Sequence, residues 1–263
     1  MEIRDAQPSD KKIVLEFCNN TFSWGDYIAD VWDTWIRQGN LFVIVEGDAK
    51  IGLAHIISTD NRQAWIEGIR IHPNYRRKGY GRKMISHCES ITKSGKTIRM
   101  VIESENTPSV SLAMSTGYHI EDRWQLYAME PKKETSSVVV ASDIKQVTGL
   151  VSSNTYADSW KWFPLEKPDL EELIKQKRVL LSVQDESVLA IGIWNKSKNY
   201  ANVLQLGFIN GNKHGMLDIL RFIQNKGHEL NSERIQVFSQ EKNLLEMDLL
   251  TKRSLFYLMR KDL

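Results

Sequence analysis

Residues 67–84 read EGIRIHPNYRRKGYGRKM. The stretch opens as a β-strand, AWIEGIRIH from Ala64, and ends in a helix beginning about Gly81 and running to about Thr92. Between them, Gly79 and Gly81 sit among Arg76, Arg77, Lys78, Arg82 and Lys83. From Arg70 to Lys83 there are six basic residues and no acidic one. The first N–H groups of a helix have no partner within it, and a partial positive charge stands behind them. Glycine lets those donors approach an anion without a Cβ in the way. A strand, a basic glycine loop and a helix in that order suit a diphosphate. The dinucleotide fingerprint GxGxxG is excluded because Met84 stands where the third glycine belongs. The P-loop GxxxxGK[ST] is excluded because Arg82-Lys83 follows Gly81.

Around this loop the chain alternates strands and helices. EIRDA is a short strand, and a helix runs from Pro8 to about Asn19. In TFSWGDYIADVWDTWIRQG, residues Ile28, Val31, Trp32, Trp35 and Ile36 recur at helical spacing, with Gly39 as the stop. LFVIVEG and KIGLAHIIS pair about a turn at Gly47-Asp48. TIRMVIE, PSVSLAMST and WQLYAMEP add a strand, a helix and a strand. The order then recurs. VVVAS is a strand, DIKQVTGLVSS a helix, and SWKWFP an aromatic segment leading to the helix DLEELIKQK. RVLLSVQ and SVLAIGIWN are paired strands, ANVLQLGFI matches the strand before the loop, and HGMLDILRFIQNKG matches the helix after it. ERIQVFS, KNLLEMDLL and SLFYLMRKDL complete the copy. The expectation is a mixed α/β (α+β) fold in two tandem units, 1–132 and 133–263, joined by the polar stretch PKKETSS at 131–137.

Composition sets bounds on function. The 263 residues are 41% hydrophobic and 26% charged, with a net charge of +2, so overall charge selects no partner. Cys18 and Cys88 make neither a disulfide framework nor a Cys-rich metal site, and no metal is expected. No stretch approaches the ~20 apolar residues of a membrane span, and MEIRDAQPSDKK lacks a signal-peptide core, so a cytoplasmic protein is expected. The basic run is too short and too poor in aromatics for nucleic acid.

Residues 67–84 resemble the signature of the GCN5-related N-acetyltransferases (GNAT). The cofactor loop of that family, [Q/R]-x-x-G-x-[G/A], is matched by Arg76-Arg77-Lys78-Gly79-Tyr80-Gly81, after a strand ending Ile71-His72-Pro73. A second signature, Asn followed eleven and twelve residues later by Gly-Phe or Gly-Tyr, is matched by Asn106 with Gly117-Tyr118. The resemblance covers residues 1–130; the second half is similar only in element order. It implies a mixed, mostly antiparallel sheet in each unit and an acetyl-CoA cofactor. The pantetheine arm would pair with backbone of Ile69 and Ile71 in a gap between splayed strands. The pyrophosphate would rest on the loop, with Arg76, Arg77, Lys78, Gly79, Tyr80, Gly81, Arg82, Asn106 and Ser109 as cofactor contacts.

Acetyl transfer to an amine needs a neutral nucleophile, a stabilised oxyanion and a proton for the leaving thiolate. The resemblance implies the Ile71 N–H as the oxyanion donor and Glu67 as the base. In regular alternation Trp65, Glu67, Ile69 and Ile71 share one strand face. The alternative is that Glu67 makes a structural ion pair with Arg70 or Arg99; Glu103 is the second choice of base. Many family members carry a Tyr seven residues after the Asn as leaving-group acid, but here that position is Ala113, and Tyr118 holds a packing position. The segment FSWGDYIADVWDTW offers Trp24, Asp26 and Tyr27 as contacts for a cationic amine, with Trp32 and Trp35 as core. In the second unit, FINGNKHGMLDIL lacks the GxG loop and its arginines, which makes it a degenerate, cofactor-free copy. Two functions fit: acetyl-CoA-dependent N-acetylation of a small or amino-acid-like amine in a ternary complex, or a non-catalytic acyl-CoA sensor. The tandem units either replace a dimer or pair into a homodimer.

Overall fold

The computed structural model describes every residue except 20, 22–24, 60–61, 148 and 244. The chain forms two compact units: 1–102 with 106–121 and 258–263, and 103–105 with 122–257.

In the first unit, β1 (Glu2–Asp5) is followed by α1 (Lys11–Cys18), α2 (Ile28–Gln38), β2 (Leu41–Glu46), β3 (Ala49–Ser58) and β4 (Gln63–Ile71). Then come α3 (Tyr80–Ser90), β5 (Thr97–Glu103), α4 (Thr107–Ser115) and β6 (His119–Met129), the last passing out of this unit after Glu121. The strand order is β1-β2-β3-β4-β5, antiparallel except for β4 beside β5. Apolar residues at helical spacing seat α1 and α2 on one face: Val14, Cys18, Ile28, Trp32 and Trp35 pack with Leu41, Val43 and Leu53. Trp32 and Trp35 are therefore core. Helix α3 covers β3 and β4 with Met84, Ile85 and Cys88 buried.

The second unit repeats the plan. It has β7 (Val139–Val140), β8 (Thr155–Asp158), β9 (Lys161–Pro164), α5 (Lys167–Lys175), β10 (Val179–Gln184), β11 (Ser187–Lys196) and β12 (Val203–Gly211). These are followed by α6 (Lys213–Glu229), β13 (Arg234–Gln240) and β14 (Thr251–Asp262), whose residues from Leu258 belong to the first unit. Its strand order is β6-β13-β12-β11-β10-β7, with β12 and β13 the parallel pair. Ile219, Leu220 and Ile223 of α6 bury against Leu180, Leu204, Leu206, Ile235 and Val237.

The polar stretch 131–137 docks on α6: Lys132 N–H donates to Gln224 O at 3.2 Å, and Ser137 binds Asp218 through its N–H and its hydroxyl. Two expectations change here. The helix expected over DIKQVTGLVSS is a single 3₁₀ turn at Ile144–Gln146, consistent with its β-branched residues and Gly149. The aromatic segment SWKWFP is half of a hairpin, β8–β9, whose turn residues Ser159 and Trp160 both have positive φ, 53° and 65°.

Candidate active site

The parallel pairing of β4 and β5 is short. Gln63, Ala64 and Trp65 pair with Thr97, Ile98 and Arg99, and beyond them no pairing joins the two strands among the described residues. The remainder of β4 stays paired with β3. His72 N–H donates to Ile51 O at 2.8 Å. In an antiparallel ladder hydrogen-bonded and non-hydrogen-bonded pairs alternate, so Ile71, opposite Gly52, turns its own N–H and C=O away from β3, to the β5 side. Its carbonyl accepts from Arg76 Nε at 3.1 Å.

A β-bulge interrupts β4. Leu53 pairs with Arg70 and His55 with Glu67, so Gly68 and Ile69 together oppose Ala54. Gly68 supplies the positive φ, 66°, that this bulge uses, and a Cβ there would lie 2.6 Å from the Trp35 ring. The bulge corrects the expected alternation: residues opposite one another across an antiparallel pair share a face, so Glu67 and Arg70 lie on the same face, with His55 and Leu53. Ile71 lies opposite Gly52, and a Cβ at Gly52 would meet its Cδ1 and that of Ile44 at 2.9 Å, so it belongs to the other face.

On the α1–α2 face each candidate has a partner. Glu67 Oε1 is 3.0 Å from Nδ1 of the fully buried His55. His55 Nε2 is 3.1 Å from Gly39 O, and its ring stacks on Trp35 at 4.7 Å between centroids and 14° between planes. Asp26 is gripped by Arg70, with Nε–Oδ2 at 2.7 Å and Nη2–Oδ1 at 3.1 Å, and also accepts from Ile28 N–H at the start of α2. Tyr27 lies under the Arg70 guanidinium and edge-on to Trp35. Arg99 is held by Glu121 through two hydrogen bonds. The expected ion pair of Glu67 with Arg70 or Arg99 is thus replaced, among the described contacts, by one with His55. Trp24 lies outside the described residues, and Glu103 belongs to the second unit, where it lines an open pocket with Ser104, Gln125 and Lys252. Burial drives the Cys18 thiol up to about 12, so it is no nucleophile.

At the loop, α3 begins with Gly79 in the left-handed region, φ 79°, and no side chain caps the helix. A Cβ at Gly79 would meet nothing within 4 Å, whereas one at Gly81 would strike Leu112 Cδ2 at 2.7 Å. Gly79 keeps the helix end open; Gly81 lets α3 pack on α4. Arg82 donates to Ser115 O and Oγ at 2.7 and 3.0 Å, fixing the end of α4. Arg76, Arg77 and Lys78 are exposed. Tyr80 is buried and donates to Glu46 Oε2 at 2.6 Å. Asn106 caps α4, its Oδ1 accepting from Ser109 N–H at 3.3 Å. Tyr118 is buried, and burial raises its hydroxyl pKa, as suits a packing residue. The sequence reading missed His55 and the Arg70–Asp26 clasp. The visible signal was a lone His within the apolar strand IGLAHIIS, beside the strand that carries Glu67.

The second unit differs at the equivalent place. Asn212 Oδ1 caps α6 by accepting from Gly215 N–H at 2.8 Å. Beyond the last pair of β12 with β13, Leu206 with Val237, Asn210 donates to Leu150 O at 2.8 Å and accepts from Asn243 Nδ2 at 3.2 Å. Among the described residues no group of His, Cys, Asp and Glu could hold a metal ion, and no helix is long and apolar enough to cross a membrane.

Residues 11–118 match the model of the acetyltransferase (GNAT) family. No curated protein matches the chain. Among solved structures, a provisionally assigned acetyltransferase from Thermoplasma acidophilum is 16% identical with a TM-score of 0.67, covering 100% of both chains. A GCN5-related N-acetyltransferase from Sphaerobacter thermophilus is 14% identical with a TM-score of 0.60, covering 99% of this chain and 95% of that one. A tandem GNAT protein from the clavulanic acid biosynthesis pathway, solved without acetyl-CoA, is 12% identical with a TM-score of 0.56, covering 99% and 98%. At these identities the likeness is one of fold, and it spans both units. The segment 11–118, which contains the glycine loop, the bulged strand and the Asn106 cap, is a domain of the acetyltransferase (GNAT) family.

Proposed function

We propose that the first unit is an acetyl-CoA-dependent N-acetyltransferase acting on the amine of a small or amino-acid-like molecule by direct attack in a ternary complex. The observation that carries this reading is the uncapped N-terminus of α3 at Gly79, next in sequence to a strand whose last backbone groups turn away from β3. The pyrophosphate of the cofactor fits the free amides of 80–82, because Gly79 presents no side chain to fill the place. Arg77 and Lys78 add charge, and in this reading the Ile71 N–H polarises the thioester carbonyl. When bound, acetyl-CoA supplies the acetyl group as a thioester. Glu67 takes the proton of the acceptor ammonium, and water serves as the proton source where Ala113 replaces the family Tyr. Asp26 is neutralised by Arg70, so it orders the start of α2 and does not itself hold the amine. The second unit takes no cofactor in this reading, since Asn212 occupies its helix end and Asn210 is tied to residues 150 and 243. The test is thiol release from acetyl-CoA across an amine panel, with wild type and Glu67→Gln. The reading expects turnover with some amine and a loss of ~100-fold or more in the variant.

A second reading, a non-catalytic acyl-CoA sensor, is favoured by Ala113 together with the burial of Tyr118, which leaves no tyrosine as acid at either family position. Binding without turnover on every amine would select it.

A further inference from the structure

The second unit holds a cavity of about 590 Å³ whose walls are all its own. Small-molecule sites span ~300–1,000 Å³. Glu103, Glu105, Glu241, Lys252, Arg253 and Gln125 are among the lining residues. Two sets of hydrogen bonds hold the walls together. Ser104 N–H donates to Leu255 O at 2.8 Å. Gln125 Nε2 faces three backbone carbonyls: Arg253 O at 2.8 Å, Leu126 O at 2.9 Å and Ser254 O at 3.1 Å. A carbonyl only accepts, so these three keep the amide nitrogen on their side and turn Oε1 away from them. Gln125 is 2% exposed, and among the described contacts its Oε1 accepts no hydrogen bond. A buried acceptor of this kind calls for a donor.

The charges of the lining fall into two kinds. Glu103 is partly buried, and its carboxylate, like Gln125 Oε1, only accepts. Lys252 and Arg253 are exposed, and their side chains only donate. Among the described contacts the side chains of Glu103, Lys252 and Arg253 make no hydrogen bond or ion pair, whereas Glu241 is drawn to Arg123 at 3.4 Å. The carboxylates are no metal cluster, since no group of His, Cys, Asp and Glu among the described residues could hold an ion. A ligand with an ammonium alone would leave Lys252 and Arg253 facing a like charge, and one with a carboxylate alone would set it against Glu103. A molecule carrying both groups complements both sets. We propose that this cavity binds a free amino acid, its α-ammonium donating to Glu103 and to Gln125 Oε1, and its α-carboxylate accepting from Lys252 and Arg253. The site goes beyond the reading of the first unit and asks nothing of it.

The experiment titrates the full chain with the standard L-amino acids, one at a time at millimolar concentration and without acetyl-CoA. Calorimetry gives the Kd, and nitrogen-15 NMR follows the Gln125 side-chain amide and the backbone signals of Ser104 and Ser254. Saturable binding of at least one amino acid is expected, with movement of those three signals. The N-acetyl derivative of that amino acid lacks the ammonium and its methyl ester lacks the carboxylate; each is expected to bind roughly tenfold or more weakly. Glu103→Gln and Lys252→Gln each remove one charge from a side chain with no other described contact, so the fold is kept, and the same loss is expected. Absence of binding by every amino acid overturns the proposal. Binding that leaves the three signals unmoved, or that both variants leave unchanged, also overturns it, because the amino acid would then sit elsewhere in the chain.

Discussion

Asp26 and Arg70 stand 44 residues apart in the chain and meet through two hydrogen bonds, with the Asp26 side chain 2% and the Arg70 side chain 12% exposed. The bulge at Gly68–Ile69 sets Arg70 on the same face as Glu67, and Asp26 takes up the guanidinium there. Removing one partner of such a buried pair costs about 3–5 kcal/mol. Asp26→Asn is therefore expected to lower the melting temperature by roughly 6 °C or more. The double variant Asp26→Asn/Arg70→Met is expected to recover most of that loss. A single variant that melts like wild type would contradict the account.

Gly68 and Gly79 both have positive φ, 66° and 79°, but different surroundings. At Gly79 a Cβ meets open space, so Gly79→Ala costs only backbone strain, about 1 kcal/mol. At Gly68 the Cβ would also press into the buried Trp35 ring, adding about 1–3 kcal/mol of overpacking. Denaturant unfolding of the two variants checks the ordering. Equal losses would mean that Trp35 does not rest on the bulge.

Glu121 sets an acid limit on the first unit. Burial works to raise its carboxyl pKa, but the hydrogen bonds and charges of Arg99 and Arg260 outweigh it, and the net direction is down. A carboxyl lowered in the folded state adds stability above its unfolded value, about 4.3, and that stability is lost as pH falls through the folded value. Glu121→Gln is expected to melt several degrees lower than wild type at neutral pH, with the gap closing on acidification. A gap constant from neutral pH down through pH 3 would contradict this.

Much of the first unit is legible in the sequence because its signals are local. The alternation of LFVIVEG, the helical spacing of Ile28, Trp32 and Trp35, and the punctuation by Gly39, Pro73 and Gly79 all act within one element. The helix end at Gly79 is readable for the same reason. The bulge is not, since Gly68 in a strand pattern is equally consistent with a regular strand, and one inserted residue reverses the face of all that follow. Pairings such as Asp26 with Arg70 or His55 with Glu67 depend on which strands and helices become neighbours, and nothing in the local pattern encodes that. The β8–β9 hairpin escaped for a chemical reason. Its turn needs two residues of positive φ, a place ordinarily filled by Asn-Gly, and it uses Ser159-Trp160, held by Gln205 and Asn199 through the Ser159 backbone.

The central claim is that the first unit, and only the first, binds acetyl-CoA at the open end of α3. Calorimetric titration of wild type and of Gly79→Glu tests it most directly. The added carboxylate points into open space, so the fold survives with a cost of about 1 kcal/mol, while its charge sits where the pyrophosphate belongs. The account predicts one site per chain in wild type and none measurable in the variant. No heat from wild type at millimolar acetyl-CoA, or binding that Gly79→Glu leaves unchanged, would contradict it.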